Sequence, residues 1–198
     1  MKRGWGRLAP QPLTAWVMCL LAGLVLAAAW SNNPRPSREP AGWLALVVAA
    51  GLAAAVVVAG RYPIHLQYRT KVLLTTVPIY LAATLLPPVL AALTAGAGVL
   101  ALQLMERKRK GSLPSDIATA AARWVIVAAL SAWVADLNLG GSLAVPLALL
   151  AAALVMLAGD IVTGAFEIAP MSDEPPVTEM VAMLHGAGVL DAAQYIMG

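Results

Sequence analysis

The chain has 198 residues, of which 61% are apolar and 12% charged, with a formal net charge of +3. A soluble domain carries roughly half apolar and about a quarter charged residues, so this composition excludes an ordinary soluble protein and points to lipid as the solvent. The basic residues sit in short clusters between apolar runs, with no aromatic-interleaved basic face. That pattern argues against nucleic acid as a partner and for orientation in a bilayer.

The first apolar run spans Leu13 to Trp30 behind Lys2, Arg3 and Arg7, and it contains the single cysteine, Cys19. Ala27 to Ala29 resemble a signal-peptidase site, but the run is long for a signal-peptide core, so a retained signal anchor is expected. Pro34, Pro36 and Pro40 make a solvated loop before a second span, Ala41 to Gly60. Arg61 to Lys71 is polar and basic, and Tyr62, Ile64, Leu66 and Tyr68 alternate at period two. An extended segment at the membrane interface is predicted there.

Val72 to Met105 decides the topology. As one helix these nearly uncharged residues would run roughly 50 Å, far beyond a hydrocarbon core of about 30 Å. Pro87 and Pro88 near the middle end one helix and begin another, which predicts a hairpin of two short arms, Val72 to Leu86 and Val89 to Met105. The second arm is rich in small residues that permit close helix approach.

After the basic loop Glu106 to Gly111, Ser115 is expected to cap a fifth helix running through Trp133 to a turn at Asp136 to Ser142. A sixth span begins near Leu143, with Pro146 in its first turn. Six crossings place Lys2, Arg3, Arg7, Arg61, Arg69, Lys71 and the cluster Arg107 to Lys110 on one side, against Arg35 and Arg38 on the other. By the positive-inside rule the amino terminus is then cytoplasmic, and a single crossing at Val72 to Met105 would put the Arg107 cluster outside. The expected fold is all-α: a cytoplasmic N-terminus at 1–12, a polytopic transmembrane helix bundle at 13–169, and an acidic, proline-containing linker with a short helical segment at 170–198. The chain stops on Tyr195, Ile196, Met197 and Gly198 without a charged or capped end. Truncation of a longer protein and a natural tail are both open readings of that end.

Arg123 is the most informative single residue, because a guanidinium inside a span costs several kcal/mol unless it snorkels to headgroups or finds a partner. Asp160, near the same end of the antiparallel sixth span, is its natural partner, and such an intramembrane polar pair would be architecture. Asp116 is expected in the first turn of the fifth helix, where it favours the helix dipole. His65 and His185 lack the helix-spaced companions a metal site needs. Glu167 is expected to be solvated. The six tryptophans fall mostly near span ends, as interface anchors do. No phosphate loop, nucleophile elbow, paired-carboxylate site or zinc spacing is present, so no catalytic, metal-ligating or cofactor-binding residue is assigned and no enzyme activity is expected.

The run Arg61-Tyr62-Pro63-Ile64-His65-Leu66, then Thr70-Lys71-Val72, Leu81-Ala82-Ala83, Leu85-Leu86-Pro87-Pro88 and Ala91-Ala92-Leu93 resembles the N-terminal membrane-associated sensor regions of bacterial HD-GYP and GGDEF signalling proteins. The resemblance covers about 45 residues. It implies an inner-membrane sensory module that passes a signal to a cyclic-di-GMP enzyme. No HD-GYP or GGDEF motif is present here, so either the output domain has been lost or truncated, or a separate cytoplasmic signalling protein or further membrane subunit receives the signal. The competing reading is a small-molecule transporter or the substrate-binding subunit of an uptake system, which needs polar groups converging near the midplane; Thr75, Thr76, Thr84 and Gln103 are the candidates. A third is a structural membrane subunit, binding another protein or a second copy through small-residue faces.

Overall fold

The computed structural model describes residues 10–31, 42–62, 64–67, 70–72, 74–137, 143–172, 177–178 and 180–181, with the backbone alone at 10–12, 64–72, 108, 110 and 166–172. The elements run α1 (Pro10–Ser31), α2 (Gly42–Arg61), β1 (Ile64–Gln67), β2 (Thr70–Val72), α3 (Thr76–Leu85), α4 (Pro88–Lys110), α5 (Pro114–Ala135) and α6 (Ala144–Ser172). Five of these helices are long and apolar enough to cross a membrane; α3 is not. The chain is a multi-pass helical membrane bundle with one small strand pair.

The segment expected to be extended is a hairpin. Strands β1 and β2 pair antiparallel, with Ile64 opposite Val72 and His65 opposite Lys71. The proline break also stands, with Pro87 as the N-cap of α4 and Pro88 at its first position, but the two arms are unequal. The first arm does not begin at Val72. α3 has 10 residues, about 15 Å at 1.5 Å per residue, because Pro78 cannot donate a backbone hydrogen bond and its ring clashes one turn upstream. That confines the helix start to Thr76, and the β-branched run Thr75, Thr76, Val77 favours helix weakly. The second arm is longer than expected, at 23 residues. Its polar end Glu106 to Lys110 continues the helix to Gly111, which takes the left-handed conformation at φ 67° and donates its N–H to the Arg107 carbonyl. Glycine suits that closing geometry.

Helix directions follow from the closest approaches. Gly60 sits against Leu102, and Gly98 sits against Val56 and the Ala53 carbonyl. The positions rise together, so α2 and α4 run parallel, and the chain between them must return across the bundle. Gly96 meets Ala121 and Val125, and Gly159 meets Val127, which with the short connection at 111–113 makes α4, α5 and α6 successively antiparallel. Arg61, the Arg107 cluster and the start of α5 therefore share one end of the bundle, and α6 terminates at that same end.

Lipid offers no hydrophobic drive between helices, so packing depends on close approach. The core is accordingly alanine-rich: Ala82, Ala91, Ala95, Ala128, Ala132 and Ala152 are fully or almost fully buried beside Ile79, Val127 and Met156. α1 packs chiefly on α5 and buries Ala15, Ala22 and Ala29 at seven-residue spacing, while Leu20, Leu24 and Trp30 face outward. α6 has 29 residues, about 43 Å, and so runs beyond the membrane thickness and past position 169.

Candidate functional site

The fifth helix starts one step earlier than its sequence suggested. Leu113 is the N-cap, Pro114 takes the first position, and Ser115 lies inside the first turn, where its hydroxyl donates to Asp116 Oδ1. Proline at that position needs no N–H partner, which is why capping moved upstream of the serine. Asp116 is in the first turn, as expected, and accepts the Leu113 N–H at 3.0 Å, satisfying one of the exposed helix-end donors.

About two and a half turns from the start of α5 lies Arg123. Its Nη2 donates to Asp160 Oδ1 on α6, and the two side chains are only 15% and 17% exposed. Of the two readings open from sequence, the structure shows the pair with Asp160. α5 and α6 are antiparallel, with Gly159 against Val127, and the long Arg123 side chain spans the short distance along this seam to Asp160. The Arg123 guanidinium carbon also lies 5.2 Å from the Trp124 ring centroid, within cation–π range.

Trp124 corrects another expectation. It is buried at 8% and belongs to the same apolar cluster as Ile79 and Tyr80 of α3, so it is a core residue and not an interface anchor. Trp16, Trp30 and Trp43 are 70%, 77% and 72% exposed near helix ends, which fits anchoring and leaves them too open for a ligand box. Trp5 lies outside the described residues.

Of the polar groups that a transport site would draw on, Thr84 is bonded within its own helix, as are three further threonines. Thr84 donates to the Leu81 carbonyl at 3.2 Å, Thr94 to Leu90 at 2.7 Å, Thr119 to Ser115 at 2.9 Å and Thr163 to Gly159 at 2.6 Å. Each hydroxyl is taken up by its own helix, a common resolution for threonine within a span. Sequence reasoning missed the long-range bond from Tyr80 Oη to the Leu149 carbonyl, 3.0 Å, which ties the short α3 to α6. A lone tyrosine in an apolar run was the one available signal, since a buried phenol needs a partner.

Among the described residues no three histidine, cysteine, aspartate or glutamate side chains gather as a metal site. His65 is placed by backbone pairing only. Glu167 lies on α6 with its side chain outside the described residues, and Glu179, His185, Asp191 and the rest of 182–198 lie outside them altogether, as do Lys2, Arg3, Arg7, Arg35 and Arg38.

Taken together the fold defines a polytopic helical membrane protein in which, among the described residues, Arg123 of α5 pairs with Asp160 of α6 beside Trp124. No protein-family model, curated protein or solved structure matches the chain.

Proposed function

We propose that the chain is a non-catalytic, sensor-like module of a bacterial inner membrane, with its amino terminus and basic end in the cytoplasm, that relays a signal to a cytoplasmic signalling protein. The observation that carries this reading is α6. It is a single helix from the end opposite the basic loops, through the level of the Arg123–Asp160 pair, and on to Ser172 at the basic end. A continuous helix transmits displacement or rotation along its axis, and here it emerges on the side to which the positive-inside rule assigns the cytoplasm. The resemblance of Arg61 to Leu93 to membrane sensor regions supports the same role.

The test combines topology with partner capture. A cytoplasm-active reporter is fused after Gly111 and, separately, after Gly198, and a photo-crosslinking residue replaces Val181, which is 48% exposed. Activity at both fusions and a reproducible cross-link to one soluble signalling protein support the relay. Inactivity at Gly198, or cross-links to lipid alone, would remove it.

A further inference from the structure

The fold-back has a second effect at the basic end. Because α2 and α4 are parallel neighbours, with Gly60 against Leu102, their C-terminal ends lie side by side at the same membrane edge. Arg61 directly follows Gly60, and Arg109 stands seven residues, or about two turns, beyond Leu102, on the same face of α4. Arg61 on the last turn of α2 and Arg109 on the last turn of α4 therefore flank one seam, offset by about 9 Å along it. Both arginines are exposed, Arg109 with 81% of its side chain accessible. Glu106 Oε1 lies 3.9 Å from Arg109 Nη2, a contact at the outer limit of an ion pair that leaves most of the five guanidinium donors available. Beside this charged seam sit two apolar or amphipathic groups open to the surroundings: Tyr62, 71% exposed, and Met105, 57% exposed.

We propose that this seam is a binding site for one anionic phospholipid. The phosphodiester sits between the Arg61 and Arg109 guanidiniums, Tyr62 lies at headgroup level, and an acyl chain runs along α4 past Met105. Guanidinium forks match phosphate oxygens geometrically, and basic sites between spans at one membrane surface recognise anionic headgroups. The proposal depends on the α2–α4 pairing and not on which side of the membrane is cytoplasmic or on any relay role.

The experiment measures binding of phosphatidylglycerol and phosphatidylcholine to the full purified chain by native mass spectrometry, alongside its melting temperature in each lipid. The unaltered protein is expected to retain phosphatidylglycerol selectively and to melt higher in it. Arg61→Gln with Arg109→Gln should weaken phosphatidylglycerol about thirtyfold, from a factor of roughly five per arginine. Arg107→Gln removes an equal charge from the opposite face of α4, away from the seam, and should change affinity by less than the factor of roughly five expected for each seam arginine. If the paired glutamine variant fails to fold, Arg61→Lys with Arg109→Lys keeps the charge, loses the fork, and should still reduce selectivity. Equal affinity for the two lipids overturns the site, and so does an Arg107→Gln loss as large as the paired variant's, which would indicate bulk charge attraction.

Discussion

Arg123 and Asp160 lie 37 positions apart in the chain, on antiparallel helices, and the long arginine side chain reaches the carboxylate inside the bundle where Gly159 brings α6 against Val127 of α5. Removing one partner leaves a poorly solvated charge, whereas removing both does not. Arg123→Met alone should therefore destabilise the bundle by about 3 to 5 kcal/mol, and Arg123→Met with Asp160→Leu should recover most of that loss. Thermal or denaturant unfolding in detergent reads the difference, and additive losses in the double variant would show that the pair is not coupled.

Gly98 sets how closely α2 and α4 approach. An alanine Cβ there would lie 2.9 Å from Val56 Cβ and 3.1 Å from the Ala53 carbonyl oxygen, neither of which can swing away. Gly98→Ala should cost about 1 to 3 kcal/mol through overpacking, while Gly51→Ala, with nothing within 4 Å, should be neutral or mildly stabilising. Comparing the two melting temperatures tests the packing assignment directly.

Tyr80→Phe keeps the ring in the core and removes only the bond to the Leu149 carbonyl. A loss of about 1 kcal/mol is expected, and a larger one would mean that α3 is held to α6 mainly by this contact.

Parallel α2 and α4 fix the sidedness of the connections. In a Cys19→Ala background, cysteines at Tyr62 and Ser112 should react with a membrane-impermeant maleimide from one face of the membrane, and a cysteine at Leu137 from the other. Labelling of Tyr62 and Ser112 from opposite faces would contradict the fold-back.

The helix count, the break at Pro87 and Pro88 and the Arg123–Asp160 pair were readable from apolar run lengths, proline chemistry and the cost of an intramembrane charge. The start of α3 was readable too, in Pro78, but the apolar run around it masked that proline. The fate of Trp124 was not readable. Its position along the helix resembles an anchor's, and only the packing of α3 over α5 determines that it faces the core. The Gly60–Leu102 approach was equally hidden, since small residues permit contact on any face and do not say which neighbour uses it.

The alanine seam between α1 and α5 also bears on how the protein is made. The helix that α1 packs against begins roughly 80 residues after α1 ends, so at a synthesis rate of about 5 to 20 residues per second α1 waits some seconds before its partner exists. During that interval it has to persist in lipid alone. Leu20, Leu24 and the tryptophans at positions 16 and 30, all outward in the finished bundle, make α1 self-sufficient at that stage, and Ala15, Ala22 and Ala29 let α5 dock later without repacking any large side chain.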